Sequence, residues 1–438
     1  MRDRMSHGER SVAATVLACA FMFGTTAYAD WPRFLGPTGD GKSTETGLRY
    51  DWPKAGPPLV WEVEVGEGYT MPAIAKGRLY EFDRHERMAR LTCRDAATGA
   101  EIWHSEYESV YEDMYGYSTG PRGTPVVDGN RVYTYGVEGR LRCHDTSDGR
   151  LVWEVDTVKT FGVVQNFFGV GSTPLIEGEL LIAMVGGSPD ESPGIQSGEV
   201  EPNGTAIVAF DKKTGAVRWS SGDDLASYSS PVVTTIDEKR HGLLFARGGL
   251  LGFDPSDGKI AFHFPWRAKK LESVNAANPV VIGDRVLITE CYGPGSALLR
   301  LKNDGYEVLR KDPRRDQSLA AHWATPILVD GVLYASSGRN SGEAELRAIE
   351  LVSGKVLWSK EGLGRATLIH VEDHLIVLGE RGRLYSVAAS AKEYREVSAT
   401  EPLVAFPAWN PPVLSDGLLY VRGADKLRCY DLRKKSAK

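Results

Sequence analysis

A set of cationic, aromatic and polar side chains recurs at one kind of position in this chain, just before a short motif led by proline. Two of them, Arg122 and Arg365, are arginines, whose planar guanidinium binds carboxylates and phosphates through paired hydrogen bonds. The others offer aromatic faces, amides or an imidazole. The set is Tyr69, Arg122, Asn166, Tyr228, Asn275, His322, Trp323, Arg365, Trp409 and Asn410. If one fold brings these residues together, they predict a binding site for a polar, anionic or planar ligand.

The motif that follows these residues predicts the first strand of a repeated β-meander. Its clearest copy lies in Gly123–Trp153, where four short apolar runs are separated by Asp-Gly, Glu-Gly and Asp-Gly. These pairs suit tight turns because glycine tolerates positive φ. Successive copies start 42 to 57 residues apart, and a degenerate copy begins at Leu368. The other copies begin at Pro72, Pro125, Pro174, Pro231, Pro279, Pro326 and Pro412.

This period, with four strands in each unit, predicts an all-β fold, a single eight-bladed β-propeller. The last copy ends after its third strand, Leu427–Asp431, with no fourth strand behind it. A strand-like run, Pro58–Val63, stands before the first copy. We therefore expect the N-terminal strand to complete the last blade and close the ring, which removes the open edges of the first and last blades.

The N-terminus predicts export. Basic Arg2, Arg4 and Arg10 precede an apolar run, Val12–Phe23, and the small residues that end at Ala29 form a cleavage site. Residues 1–29 are thus a predicted signal peptide, whose apolar run is too short to span a membrane. A lipid anchor at Cys19 is not expected, because Leu17 and Ala18 fit a lipidation signal poorly. We expect a periplasmic or extracellular protein.

Behind the signal peptide, the sequence predicts three further segments. Residues 30–57 are rich in proline and glycine and form a lead-in that lies against the propeller, residues 58–432 form the propeller, and residues 433–438 form a basic tail. The net charge of −6 provides no basic surface for nucleic acid. We expect a monomer that does not span a membrane and that binds a protein or another ligand of the cell envelope.

Other residues that could carry chemistry have structural interpretations. Trp103, Trp153, Trp219 and Trp358 recur at the end of the fourth strand and should pack blade against blade. Asp95–Gly99 is a repeated turn whose Asp side chain should bond its own backbone. No metal is expected at His322, which lacks partners at ligand spacing. Calcium binding by the loop Gly186–Gly204, with Asp190, Glu191, Glu199 and Glu201, is a minor alternative to a solvated loop.

The cysteines are predicted to be core thiols. Cys93, Cys143 and Cys429 share one third-strand position with Ala209 and Ala348, as expected of a small buried site. No two cysteines are adjacent and no Cys-x-x-Cys occurs, so the pattern does not indicate a disulfide framework.

The joined pattern, Thr-Pro-Val-Val-Asp-Gly followed by Asp-x-x-Thr-Gly-x-x-x-Trp, resembles the tryptophan-docking repeat of the pyrroloquinoline-quinone (PQQ)-like propellers. The resemblance covers nearly all of residues 58–432, and the lead-in Asp30–Pro37 is similar to that of exported members. This family includes the quinoprotein alcohol dehydrogenases and BamB. It implies either a BamB-like, non-catalytic binding or scaffolding module, or a quinoprotein-type or other small-molecule enzyme with its site at the channel mouth.

The resemblance does not extend to a dehydrogenase site. Those enzymes place PQQ against a disulfide of neighbouring cysteines and hold calcium with Glu and Asn, and no matching constellation is present in this chain. We therefore expect no cofactor and no catalytic residue, with PQQ and calcium as the alternative. The ring of polar residues has two interpretations, a ligand site or a solvated channel. If Arg122 and Arg365 face one channel, they should repel each other unless an anion, a carboxylate or water lies between them. Replacing both with alanine should abolish ligand binding and leave the fold intact.

Overall fold

A computed structural model describes residues 29–164, 167–189 and 200–434. Its strands form eight antiparallel sheets arranged as an eight-bladed β-propeller, which confirms the predicted fold class and blade number. The predicted signal peptide with Cys19, Asn166 and most of the loop Gly186–Gly204 lie outside the described residues. The division of the chain into four segments stays a prediction.

The first half of the chain contains two N-terminal strands and four complete blades. The N-terminal strands are β1 (Lys42–Ser43) and β2 (Leu59–Glu64). The blades are β3 (Ala73–Ala75), β4 (Arg78–His85), β5 (Met88–Asp95) and β6 (Glu101–Glu108); β7 (Val126–Asp128), β8 (Arg131–Tyr135), β9 (Arg140–Asp145) and β10 (Leu151–Asp156); β11 (Leu175–Glu177), β12 (Leu180–Met184), β13 (Ile207–Asp211) and β14 (Val217–Ser221); and β15 (Val232–Ile236), β16 (Lys239–Phe245), β17 (Gly249–Phe253) and β18 (Ile260–Pro265). A short helix, α1 (Thr157–Phe161), follows β10.

The second half contains the remaining four blades, of which the last supplies only three strands. They are β19 (Val280–Ile282), β20 (Arg285–Glu290), β21 (Gly295–Lys302) and β22 (Gly305–Lys311); β23 (Ile327–Val329), β24 (Val332–Ser337), β25 (Glu345–Glu350) and β26 (Val356–Lys360); β27 (Thr367–Val371), β28 (His374–Leu378), β29 (Arg383–Ala388) and β30 (Glu396–Pro402); and β31 (Val413–Ser415), β32 (Leu418–Arg422) and β33 (Lys426–Asp431).

At four junctions between neighbouring blades, a tryptophan packs on a glycine of the next blade. The Trp103 indole N–H donates to the Thr146 carbonyl oxygen over 3.0 Å. A Cβ atom at Gly149, whose φ is +76°, would lie 2.4 Å from the Trp103 ring. Trp153 stands in the same relation to Gly215. The glycine of the Asp-x-x-Thr-Gly turn is thus required by the tryptophan of the preceding blade, and the predicted packing role of these tryptophans is confirmed.

The aspartate of the repeated turn bonds its own loop. Asp95 Oδ1 accepts from the Thr98 backbone N–H and hydroxyl, each over 2.8 Å, so its oxygen serves the turn as predicted. Cys93, Cys143 and Cys429 are buried free thiols, which confirms their interpretation as core residues.

The N-terminal strand closes the ring. Strand β2 pairs antiparallel with β33, with Trp61 opposite Cys429 and Val63 opposite Leu427. The Trp61 indole N–H donates over 3.0 Å to the carbonyl oxygen of Ala96 in the first blade. Arg422 of β32 adds a second connection across this seam, since it donates to the Thr70 hydroxyl over 2.6 Å and to the Gly66 carbonyl oxygen over 3.0 Å.

The lead-in runs along the innermost strands and bonds their free edges. Trp31 and Ile74 of β3 exchange two backbone hydrogen bonds of 2.8 Å, and the Pro32 carbonyl oxygen accepts from the Val127 N–H over 2.8 Å. Strand β1 then pairs in parallel with β27. Inner strands carry backbone groups that their own sheets leave unpaired. The lead-in satisfies several of them, which explains why it lies inside the ring.

We predict that Trp61→Ala lowers the free energy of unfolding by about 3–5 kcal/mol, because it empties a buried indole site at the closing seam. Leu59→Ala on the same strand is the matched control, since Leu59 is 50% exposed whereas Trp61 is 8% exposed. Urea denaturation followed by circular dichroism measures both. Equal, small shifts of the two midpoints would contradict the role of Trp61 in closure.

Candidate functional site

The predicted ring of residues surrounds a cavity of about 590 Å³, which we call the channel-mouth cavity. Every connection between successive blades contributes to its wall, because each one ends at the mouth where an innermost strand begins. Eight of the ten predicted residues line it: Tyr69, Arg122, Tyr228, His322, Trp323, Arg365, Trp409 and Asn410. Residues distant in sequence are therefore brought to one site by the closure of the ring.

The other two predicted residues do not belong to the described wall. Asn166 lies outside the described residues. Asn275 is fully buried, and its amide N–H groups donate to the carbonyl oxygens of Ala246 over 2.7 Å and Trp266 over 3.2 Å. The backbone carbonyl oxygen of Asn275 accepts from the backbone N–H of Tyr228 over 3.0 Å. Asn275 therefore fixes the backbone beside Tyr228 and does not face the cavity.

Arg122 and Arg365 each have their own counter-charge within the protein. Arg122 bonds the buried carboxylate of Asp113 over 2.8 Å and donates to the carbonyl oxygens of Gly120 and Ser118. Arg365 bonds the buried carboxylate of Glu380 over 2.5 Å and 2.9 Å. The sequence predicts that the two guanidinium groups repel each other unless an anion, a carboxylate or water lies between them, and the structure gives each of them a carboxylate partner.

Glu380 holds two walls of the cavity together. It lies between β28 and β29, and besides Arg365 it accepts the Trp409 indole N–H over 2.8 Å. Burial by itself raises the pKa of its carboxyl, but the hydrogen bonds from Arg365 and Trp409 outweigh burial and lower the pKa to about 2. Glu380 is therefore ionised at neutral pH and acts as a fixed acceptor for both side chains.

Aromatic side chains line one half of the cavity as a continuous wall. The Trp409 ring lies 4.8 Å from Trp323 and 4.8 Å from Tyr69. Tyr117 extends the wall, 6.1 Å from Trp409 and 5.9 Å from Phe168. The Arg365 guanidinium covers part of this wall, 4.6 Å from the Trp323 ring and 5.0 Å from the Trp409 ring, where cation–π attraction stabilises it.

A second part of the lining, which we call the polar wall, is built around a neutral histidine, His322, whose ring lies 4.5 Å from that of Trp323. His322 Nε2 lies 3.0 Å from the Tyr292 hydroxyl. Burial, together with the charges of Arg365 and Arg339, lowers the pKa of His322 to about 3, so the imidazole is uncharged at neutral pH. Arg339 lies over the Tyr292 ring at 4.5 Å and forms a loose pair of 3.7 Å with Glu272. This wall offers hydrogen-bonding groups without a net charge.

The lead-in supplies the floor. Phe34 and Leu35 line the cavity from below. Leu35 is 3% exposed and has a φ of +59°, a left-handed conformation that is rare for a bulky residue and costs about 1–3 kcal/mol. The surrounding bonds maintain it, since the Leu35 carbonyl oxygen accepts from the Gly41 N–H over 2.9 Å.

Several lining residues were not in the predicted set. They are Phe34, Leu35, Tyr115, Tyr117, Leu271, Glu272, Tyr292, Arg339 and Asn340. The density of tyrosines between Tyr111 and Tyr117 was a usable signal for one of these groups. Arg339, Asn340 and Tyr292 lie in connections between second and third strands, and no repeated proline marks those positions.

The described residues do not fit PQQ held with calcium. In the described ranges no three His, Cys, Asp or Glu side chains form a group that could hold a metal ion. The cysteines described are all free thiols, and none is adjacent to another in sequence. Two of the lining arginines, which could meet the carboxylates of the quinone, are committed to Asp113 and Glu380. We therefore derive no step through that cofactor.

The ring of tryptophan-docked blades around a polar and aromatic mouth defines a PQQ-like β-propeller protein. A family profile described as "Outer membrane protein assembly factor BamB" matches residues 87–360, so the chain belongs to that family. A relative of the same description from Yersinia pestis is 23% identical over 342 residues, which cover 74% of this chain and 76% of the relative.

Two solved structures share the fold. BamB from Moraxella catarrhalis has a TM-score of 0.59 at 13% identity and covers 88% of this chain and 100% of its own. Quinohemoprotein alcohol dehydrogenase from Comamonas testosteroni has a TM-score of 0.65 at 14% identity and covers 93% of this chain and 81% of its own. At these identities the likeness concerns the fold alone. Among the described residues, no helix has the length and apolar character needed to cross a membrane.

We predict that Arg365→Ala destabilises the protein by about 3–5 kcal/mol, because it leaves the buried Glu380 carboxylate without its cation. This prediction differs from the sequence-based expectation that the arginines can be replaced with the fold intact, because that expectation did not include the buried Glu380 carboxylate. Arg383→Ala is the matched control, since its pair with Glu401 is exposed and should contribute about 1 kcal/mol or less. Urea denaturation compares the two variants, and equal effects would contradict the structural role of Arg365.

We predict that Glu290→Gln stabilises the protein above pH 7. Glu290 is fully buried beside Tyr292, and burial raises its pKa to about 7. Between its ordinary value of 4.5 and about 7, the folded state keeps a proton that the unfolded state releases, so stability falls as pH rises. The variant should gain roughly 1–3 kcal/mol at pH 8 and little at pH 4. A constant difference across this range, measured by urea denaturation, would show that Glu290 does not titrate there.

Proposed function

We propose that this protein is an exported, non-catalytic binding or scaffolding module of the cell envelope, as the name of its family suggests. One observation carries the non-catalytic part: in the described wall of the channel-mouth cavity, Arg122 and Arg365 are paired with buried carboxylates and His322 is neutral. A general acid or base needs a pKa near the working pH. The pKa of His322, about 3, and the pKa of Glu380, about 2, are both far below neutral pH.

The architecture supports a scaffold. Eight blades hold the connections between them in fixed positions, and such connections on a rigid framework are the usual place for recognition. The face that carries the mouth also exposes apolar side chains, among them Val110 at 70%, Tyr117 at 58% and Phe406 at 57%. Exposed apolar groups beside a cavity favour contact with another molecule. We therefore place the partner, a protein or another envelope ligand, on this face.

Export and partner binding are tested with the full-length protein in its source cells. We expect the chain in the envelope fraction, shortened after Ala29. A photo-crosslinking residue placed at Tyr117, on the mouth face, should capture a partner, while the same residue at Val356 on outer strand β26 should capture less. Val356 is 37% exposed, so both probes reach solvent. Cytosolic recovery of uncleaved chain, or equal capture at both positions, would contradict the proposal.

We predict that the protein does not oxidise alcohols or sugars with PQQ. Purified protein incubated with PQQ and calcium should show no dye-linked oxidation above a sample without protein, because no three described His, Cys, Asp or Glu side chains form a group that could hold the calcium ion that such chemistry uses. A saturable rate that requires PQQ would overturn the non-catalytic proposal and support the quinoprotein-type alternative.

A further inference from the structure

We propose that the channel-mouth cavity binds a neutral carbohydrate, with a sugar ring stacked on the aromatic wall and its hydroxyl groups bonded to the polar wall. The inference deepens the proposed function, on which it rests in taking the cavity as a binding site. Four features of the cavity carry it: exposed aromatic faces, balanced charge, hydrogen-bonding groups of both kinds, and a closed floor.

The aromatic wall presents ring faces to the cavity. Tyr115 and Tyr117 are 51% and 58% exposed although both line it. The Tyr117 ring is tilted by 55° to Trp409 and by 68° to Phe168, so its neighbours do not stack flat on it. Aromatic faces carry a negative electrostatic potential, which attracts the polarised C–H groups on the face of a sugar ring.

The charges of the cavity cancel in pairs. The three lining arginines are matched by three carboxylates, Arg122 with Asp113, Arg339 with Glu272 and Arg365 with Glu380. An anionic ligand would have to compete with these internal carboxylates, and a cationic ligand with the arginines. The balance favours a neutral ligand and replaces the anionic preference inferred from the arginines alone.

The polar wall can both donate and accept. Asn340 and Asn410 line the cavity with amide groups. The Arg339–Glu272 pair is long, at 3.7 Å, and partly exposed at 37% and 47%, so it can rearrange around hydroxyl groups. A hydroxyl donates one hydrogen bond and accepts two. The hydroxyl groups of a sugar can therefore bond both the donors and the acceptors of the polar wall.

The floor limits the ligand to a short chain end or a small oligosaccharide. Phe34 and Leu35 of the lead-in form the floor of the cavity. The volume of about 590 Å³ lies within the usual range for small-molecule sites, roughly 300–1,000 Å³. An apolar peptide could use the aromatic wall, but it would displace water from Asn340 and from the loose Arg339–Glu272 pair without replacing the hydrogen bonds of that water, which costs binding free energy.

The test is calorimetric titration of the intact mature protein with a panel of defined probes. The neutral probes are trisaccharides of glucose, mannose and N-acetylglucosamine, the acidic probe is trigalacturonate, and inorganic phosphate and a blocked tripeptide with a central tryptophan complete the panel. We expect saturable binding of at least one neutral trisaccharide. Tyr117→Ala should weaken it at least tenfold, Tyr117→Phe should stay within twofold, and Val110→Ala, in the same connection but off the cavity wall, should match wild type.

Each other outcome decides against the proposal. It is overturned if folded wild-type protein binds none of the neutral sugars, if only the acidic sugar, phosphate or peptide binds, or if Tyr117→Ala binds as wild type does. Melting temperatures of the variants confirm that they are folded. Binding of the peptide alone would leave the proposed scaffolding function standing, whereas PQQ-dependent oxidation would remove that function whichever probe binds.

Discussion

The contact between a tryptophan of one blade and a glycine of the next holds four junctions of the ring together, including the junction that closes it. An indole packed against a bare backbone buries a large apolar area and still finds a carbonyl acceptor, as Trp103 does at Thr146. Because a Cβ at Gly149 would collide with that ring, the two halves of the repeat depend on each other across blades. The closing blade obeys the same constraint, and its tryptophan, Trp61, comes from the far end of the chain.

Closure then determines where function can lie. Each inter-blade connection ends at the mouth, so residues as distant as Tyr69 and Trp409 become neighbours at 4.8 Å. The lead-in contacts inner strands of several blades, which lie close enough together for this only in a closed ring. Within the ring, the lead-in forms hydrogen bonds with unpaired backbone groups of the inner strands. It also places Leu35 in the floor of the cavity.

The charges at the mouth follow from the cost of burying an ion. A guanidinium placed among aromatic rings needs a counter-charge nearby, and Asp113 and Glu380 provide it. The same pairing removes the free charge that an anionic ligand would need. The arginines that looked most like ligand contacts in the sequence therefore serve first as supports of the wall, and the half-exposed tyrosines beside them are left as the accessible surface.

Sequence alone determined the architecture, because each repeat depends on local features: turn glycines, strands of alternating residues and a tryptophan at constant spacing. The same features predicted the strand that closes the ring. The sequence also placed eight residues of the cavity wall, because each of them stands just before an inner strand. Tertiary structure decided the rest. The carboxylate opposite Arg365, the inward turn of Asn275, the tyrosines in an irregular connection and the position of Leu35 depend on contacts between segments far apart in the chain. No local spacing encodes such contacts.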